Sequence, residues 1–367
     1  MANTNGLCAE VLNAYGWRAN AIEHHPYGEG HINQTHLVSI AGEKTKRFIL
    51  QKINTDVFQN VDGLMRNICG VTAHLSKKIQ EAGGDPDRET MHVVFTKDAR
   101  PYYRDSEGNA WRVYKFVEHT VCLQKCRNPQ DFYTSAKAFG QFQNDLSDYD
   151  ALTLYETIPD FHNTADRYRK FEAALHADPM RRAALVSEEI AFIKARKKDC
   201  RYMVNLLAEG KLPLRVTHND TKLNNILLDE KTGKALCIID LDTVMPGLAA
   251  NDYGDSIRFG ANNCAEDEQD LTRVSFSPEL FEAYTKGFLE TAGNTLTPLE
   301  IETLPWGARL MTLECGIRFL TDYLEGDRYF ATHRPGHNLD RCRTQLKLVR
   351  DMEAHWDSMN RTIEKLK

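Results

Sequence analysis

The stretch RVTHNDTKLNNILLDEKTGKALCIIDLDT, residues 215–243, decides the fold. An apolar run, Leu212 to Val216, leads into a polar knot, His218-Asn219-Asp220. Five residues after Asp220 stands Asn225, which opens a second apolar run, Ile226 to Leu228. Lys231-Thr232-Gly233-Lys234 reads as a turn, and a third run, Ala235 to Ile239, ends on Asp240 and Asp242. Polar residues at the ends of short strands, bracketed by turn chemistry, predict a hairpin that presents a site.

The spacing sets the chemistry. His-x-Asp-x-x-x-x-Asn puts a carboxylate and an amide on one loop, and a second carboxylate arrives at the end of the next strand. Phosphoryl transfer from a nucleotide needs these groups: a carboxylate to orient the attacking hydroxyl and accept its proton, and an Asn with an Asp as hard oxygen ligands for Mg2+. Asp220 takes the first role, Asn225 and Asp240 the second. A lone Asp-x-x-x-x-Asn is usually only a polar loop. Here His, Asp, Asn, the flanking strands and the terminal Asp occur in order, which is the kinase-type signature in its expected context.

HNDTKLNN followed by IIDLD resembles the catalytic and metal-binding segments of the aminoglycoside phosphotransferase and choline kinase superfamily. The likeness runs from about Pro26 to about Met352, through WRVYKFVEHT (111–120), NDYGDSIRFGA (251–261) and LECGIRFLTDYLEGDRYFAT (313–332). Over that length the chain is most similar to members that phosphorylate N-acetylated hexosamines at C1. The resemblance implies an α+β, protein-kinase-like two-lobed fold: a small, mostly antiparallel β lobe (1–118) that binds ATP, and a larger helical lobe (119–367) that carries the catalytic hairpin and the sugar site.

Composition narrows the alternatives. A chain of 367 residues suffices for two lobes. A net charge of -6 and a pI near 6.1 argue against a nucleic-acid partner. The basic cluster from Lys194 to Arg201 reads as a solvated helix face. No apolar run approaches the ~20 residues of a membrane span, and MANTNGLCAEV does not read as a secretory leader, so the expected location is the cytoplasm, without membrane association. The nine cysteines are scattered without a Cys-x-x-Cys, which predicts reduced thiols. No feature requires more than a monomer.

In the first lobe, Tyr27-Gly28-Glu29-Gly30-His31-Ile32-Asn33 lies between predicted strands, the next two being His36 to Ile40 and Arg47 to Ile53. Gly28 and Gly30 permit close backbone approach to phosphates. His31 has two readings, a donor to phosphate or sugar and a turn cap. In relatives the strand after this loop commonly carries a basic residue that meets the nucleotide phosphates. Here that position holds Gln51, with Lys52 next to it on the opposite face. The predicted helix Val61 to Gly83 offers no obvious acidic partner, so the usual Lys-Glu pair is in doubt. Met91 to Thr96 and Trp111 to Val117 are read as strands. By order along the chain, the break at Glu118-His119-Thr120 is a hinge, with backbone groups from Phe116 to Glu118 facing adenine.

From Pro129 onward, helical spacing dominates: Asp131 to Leu146, Thr164 to His176, Glu188 to Leu207, Gly307 to Leu324 and Asn338 to Lys365. The loop before Thr164 holds His162, for which a helix N-cap at Asn163 or Thr164 is sufficient explanation. Asp255 reads as a support for the catalytic loop, and Asp242 either stands behind the metal ligands or is exposed. On the helix containing Glu314, Arg318 and Asp322, charges four apart share a face. The resemblance assigns sugar contacts to Arg318 and to Tyr329 just beyond that helix.

The expected reaction is therefore Mg2+- and ATP-dependent phosphorylation of an N-acetylhexosamine (N-acetylglucosamine or N-acetylgalactosamine) at C1. The alternatives are another small-molecule kinase of the same fold, acting on a different sugar, homoserine, choline or an aminoglycoside, and a non-catalytic nucleotide-binding module.

Overall fold

The computed structural model describes residues 9–18, 21–28, 32–42 and 46–367. Gly30 and His31 lie outside the described residues. By contacts the chain divides into two units, one of residues 1–121, 152–159 and 227–245, the other of 122–151, 160–226 and 246–367. The division falls three residues beyond the boundary at 118/119. It is also not a single cut, because the first unit takes back two later segments.

In the first unit a short helix α1 (Ala9–Ala14) is followed by strands β1 (Ile22–Pro26), β2 (Gln34–Ile40) and β3 (Lys46–Ile53), then by helices α2 (Val61–Glu81) and α3 (Pro86–Glu89). Strands β4 (Val93–Val94), β5 (Tyr103–Arg104), β6 (Ala110–Lys115) and β7 (Thr120–Val121) come next. Strands β1, β2, β3, β6 and β4 form an antiparallel sheet in that order, with β5 also paired to β6. The register sets Leu50 opposite Val113 and Lys52 opposite Trp111. Residues facing each other across strands share a face. Leu50, Trp111, Val113 and Val38 pack with Val11 and Leu12 of α1 and with Tyr15 just after it in one cluster.

Helix α2 starts where Asn60 accepts from the Gly63 amide, 2.8 Å, and buries Val61, Leu64, Met65, Ile68, Val71 and Leu75 at helical spacing. Met91 to Thr96 is only a two-residue strand, and the turn before β6 is built by Asp105, which accepts from the amides of Glu107 and Asn109 and from the Trp111 indole. The returning hairpin, Ile226–Asp229 and Ala235–Ile238, pairs with β7 through Asp229 and Leu228.

The second unit is helical: α4 (Pro129–Asp145), α5 (Thr164–Ala177), α6 (Ser187–Ala195), α7 (Tyr202–Ala208), α8 (Ala249–Gly260), α9 (Pro278–Ala292), α10 (Pro298–Glu302), α11 (Leu304–Glu325), α12 (His337–Ala354) and α13 (Trp356–Leu366). The predicted helix from Glu188 to Leu207 is in fact α6 and α7. The Arg196 guanidinium donates to the Phe192 carbonyl at 2.8 Å, and its amide turns to Ile193. That side chain competes for the carbonyl a continuing helix would use. The predicted run from Asn338 to Lys365 likewise divides, at His355, whose ring meets the Asp351 carbonyl at 2.9 Å.

Helix α11 is the axis of this unit: α8, α12 and α5 all pack on it, and it buries residues on every side. Its crossing with α8 depends on two glycines. A Cβ at Gly307 would sit 2.0 Å from the Ala250 carbonyl oxygen, and one at Gly254 would sit 2.3 Å from that of Gly307. Helix propensity alone favours alanine over glycine by about 1 kcal/mol, whereas forcing a methyl into a closed crossing costs about 3 kcal/mol. Packing wins, so Gly307→Ala should lower stability by about 2 kcal/mol in chemical denaturation. Unchanged or raised stability would mean that the helices are not so close.

Candidate active site

The catalytic loop is held from below by α8. Strand Arg215–Thr217 ends at His218, which is fully buried. The Asp252 carboxylate accepts from the amides of His218 (2.8 Å) and Asn219 (2.7 Å) and from the Gln143 side chain (2.7 Å). One turn on, Asp255 accepts from the Thr221 amide at 3.1 Å and is itself paired with Arg258. Ser256 donates to the Thr221 carbonyl, and the Thr221 hydroxyl donates to that of Asp252. Asp255 thus does support the loop, but Asp252 carries the larger share. The NDYGD run contains the signal, two carboxylates three apart. Burial pushes the Asp252 carboxyl above the ordinary range, against the pull of His218 and the two amides.

So anchored, the loop bends. Asn219 adopts φ 63°, a left-handed conformation that non-glycine residues hold only under constraint. Asp220 follows, partly accessible, with Lys222 Nζ 2.7 Å from its carboxylate. Burial alone would raise the Asp220 carboxyl, but Lys222, His218 and the Asn225 amide outweigh it and hold the group below the usual carboxylate range. The Asp220 carboxyl is therefore ionised at neutral pH. Asn225, buried, donates Nδ2 to the Asp220 carbonyl (2.8 Å) and carboxylate (3.1 Å). Both bonds use its nitrogen, not its amide oxygen. Lys222 was not singled out from the sequence, although a lysine two residues from a presumptive base is visible in HNDTK.

The first unit carries Asp240 and the residues assigned to the nucleotide. Asp240 ends the hairpin, exposed, at φ 63° and ψ 57°; a non-glycine in that region is held by its surroundings and clusters at functional sites. Asp242, two residues on, is buried rather than exposed and is paired with Arg112. Gln51 donates to the Thr35 hydroxyl (3.0 Å) and accepts from Arg112 (3.0 Å). Gly28 has φ 80° and open space where a Cβ would stand. At the hinge, the Phe116 amide donates to the Arg47 carbonyl, the Glu118 carboxylate pairs with Arg47, and the Glu118 carbonyl accepts from Arg88. With the Thr120 hydroxyl donating to the Val117 carbonyl at 3.0 Å, these contacts occupy one backbone donor and two acceptors of the segment from Phe116 to Glu118.

Mg2+ is a hard cation that takes one or two protein oxygens and keeps waters; the second unit offers the Asn225 amide oxygen and the first unit the Asp240 carboxylate, each a donor of that kind. Among the described residues no group of three or more His, Cys, Asp and Glu is arranged to hold a metal.

A second polar cluster adjoins the catalytic loop. His162 meets the Asn219 carbonyl through Nε2 (3.2 Å) and Glu314 through Nδ1 (3.0 Å), while Thr164 donates to the other Glu314 oxygen. Asn163 is the N-cap, so capping explains Asn163 and leaves His162 to link the loop to α11. Buried Glu314, which burial would push up, is held below the usual range by His162, Arg167 and Thr164. One turn along α11, Arg318 has its guanidinium 5.6 Å from the Phe161 ring, 5.3 Å from Phe330 and 5.9 Å from Tyr329. Buried Asp322 accepts from the amides of Arg328, Tyr329 and Phe330, which fixes the loop bearing the exposed Tyr329. Of the three charges four apart, Glu314 and Asp322 organise loops and Arg318 is half-buried among aromatic rings.

The family whose model matches, described as a phosphotransferase enzyme family, covers residues 25–292. A microcompartment-associated aminopropanol kinase has the same fold, at TM-score 0.61 and 16% identity over 96% of this chain and 97% of its own. Amicoumacin kinase in complex with AMP-PNP, Ca2+ and amicoumacin superposes at 0.59, with 14% identity over 92% and 91%. An aminoglycoside phosphotransferase from Alicyclobacillus acidocaldarius superposes at 0.58, with 15% identity over 98% and 97%. The kinase-like fold is thus shared across the chain. No helix among the described residues is long and apolar enough to cross a membrane.

Two outcomes follow from the loop geometry. Asp252→Ala strands two buried amides, which costs at least about 2 kcal/mol; urea denaturation checks it, and an unchanged midpoint would show that the loop stands without the carboxylate. Because Asp220 is held low, the acid limb of kcat/KM should fall below the ordinary aspartate range near ~3.9. Lys222→Met should move that limb to higher pH, and an unmoved limb would detach Lys222 from the base.

Proposed function

We infer that this chain, which belongs to the phosphotransferase enzyme family, is a small-molecule kinase that moves the terminal phosphoryl group of ATP onto the C1 hydroxyl of an N-acetylhexosamine. The observation that carries the kinase reading is the loop itself: an ionised Asp220 fixed by Lys222 and Asn225 beside an anchored His218-Asn219 turn. Asp220 orients the acceptor hydroxyl. As the bond from that oxygen to phosphorus forms and the bond from phosphorus to the leaving ADP oxygen breaks, the hydroxyl proton passes to the Asp220 carboxylate. An anomeric hydroxyl is more acidic than the other sugar hydroxyls, which suits a carboxylate of low pKa acting late in a loose transition state.

Asn225 and Asp240 are the residues that would hold Mg2+, which when bound neutralises charge on the phosphates. Gly28, Gly30, Gln51 and the hinge backbone from Phe116 to Glu118 are assigned to the nucleotide, and His31, Arg318 and Tyr329 to the sugar. The acceptor reading gains support from charge. Two guanidiniums, Arg318 and Arg167, stand near each other, and Arg167 is pulled down first by burial and then by Arg318. A cationic acceptor such as choline or an aminoglycoside is disfavoured beside them, whereas an arginine fork suits sugar hydroxyls and an amide carbonyl. A soluble cytoplasmic monomer remains part of the proposal.

The test is ADP release with Mg-ATP against N-acetylglucosamine, N-acetylgalactosamine and their methyl glycosides. Turnover of free sugars but not glycosides supports C1; equal turnover of both contradicts it, and silence on all four contradicts the sugar assignment. With a turned-over acceptor, Asp220→Asn should cost about 10²- to 10⁴-fold in kcat with the fold intact. Wild-type turnover would remove Asp220 from the base role.

A further inference from the structure

Gln51 occupies the strand position at which a cation is expected, and the register shows where a cation has gone instead. Gln51 faces Arg112 across the β3–β6 ladder, and Lys52 faces Trp111. Lys52 lies over the Trp111 ring, Nζ 6.0 Å from its centroid, on the face that packs with α1. Arg112 therefore shares the opposite face with Gln51, and it is only 1% exposed. Its Nε donates to Gln51 Oε1 at 3.0 Å, its Nη2 to Asp242 Oδ2 at 2.7 Å, and its Nη1 lies 2.6 Å from Asp242 Oδ1.

Asp242 gathers more. Asn33, at the end of the glycine loop, donates Nδ2 to its carboxylate at 2.6 Å, and Thr157 donates to its carbonyl. Helix α2 contributes no carboxylate to this network. Its buried residue there is Asn67, whose amide donates to the Tyr155 and Val244 carbonyls.

A buried ion pair is a poor device for stability, because desolvating both charges offsets their attraction and apolar residues of like volume often do as well. What such a pair supplies is geometry: the Nη2–Oδ2 hydrogen bond, with Nη1 close to Oδ1, holds the carboxylate against the guanidinium. Asp242 lies two residues past Asp240, whose backbone is held in the left-handed region. Burial would lower the Arg112 charge, but Asp242, Tyr114 and Asp240 keep it protonated, so both carboxylates lie in its field.

We propose that Arg112 is the positioning cation of the nucleotide half of the site, held from the neighbouring strand by Gln51 and paired with Asp242. Its guanidinium fork holds Asp242 through one hydrogen bond and a close charge contact and, through it, the turn that presents Asp240. Gln51 is the neutral spacer that orients the guanidinium from the side. The proposal rests on the nucleotide-dependent phosphotransfer reading given above.

The experiment is equilibrium binding of ADP over a range of Mg2+ concentrations, without any acceptor, with thermal melting alongside. Removing a residue that orients a metal ligand weakens metal-dependent binding about 10- to 100-fold. Arg112→Gln should therefore weaken Mg-ADP binding by that factor and raise the Mg2+ concentration at half-saturation, while ADP without metal changes less. Arg112→Lys keeps the charge without the fork; it guards against loss of folding in the first variant and should show the same shift in smaller measure. Gln51→Lys combined with Arg112→Gln should recover part of the Mg2+ dependence.

Folded Arg112 variants that bind Mg-ADP as wild type does, with only the melting temperature lowered, would overturn the proposal and leave a structural pair. If wild type itself binds no Mg-ADP, the reading on which the proposal rests falls, and the proposal with it.

Discussion

A single buried carboxylate, Asp252, sets the conditions for the rest. By taking the amides of His218 and Asn219 it pins a turn that the backbone would otherwise avoid, since Asn219 sits in the left-handed region. The next residue is Asp220. Everything the site asks of that side chain, its direction, its ionised state and its partnership with Asn225, follows from where this turn leaves it. The carboxylate belongs to α8, and α8 is seated on α11 through a glycine-only crossing. Close packing of two helices is thus linked, contact by contact, to the placement of a proton acceptor.

The same helix α11 organises a second polar cluster. Its Glu314 reaches the catalytic loop through His162, its Asp322 fixes the loop that carries Tyr329, and Arg318 lies between them. Buried polar networks of this kind are costly unless every member is satisfied. The carboxylates here are satisfied by backbone amides, by the Asn338 side chain, by a histidine and by a hydroxyl, and the half-buried arginine lies among aromatic rings.

Much of this was legible in the sequence because it is local. His218, Asp220, Asn225 and Asp240 fall within one stretch whose apolar runs and turn residues already imply a hairpin, and α2, α4 and α5 are each capped by an asparagine, Asn60, Asn128 and Asn163, through a short-range bond. What escaped were relations between distant residues. The Arg112–Asp242 pair spans 130 positions and depends on a β-ladder register that no periodicity encodes. His162 was explicable as part of a capping loop, yet its ring is committed 152 residues away, to Glu314. The breaks at Arg196 and His355 arise from side chains capturing backbone carbonyls, which residue type alone does not announce. The discontinuous first unit is likewise a matter of pairing: β7 recruits the hairpin through Asp229 and Leu228.

The central claim is that phosphate arrives on the anomeric oxygen of an N-acetylhexosamine, and the covalent bond formed reports on it without reference to rates. Phosphorus–proton correlation NMR of the product made from Mg-ATP and N-acetylglucosamine or N-acetylgalactosamine reads that bond directly. The account predicts a phosphorus signal coupled to H1 of the sugar. Coupling to a proton of another carbon, or the absence of any sugar phosphate from either substrate, would contradict it.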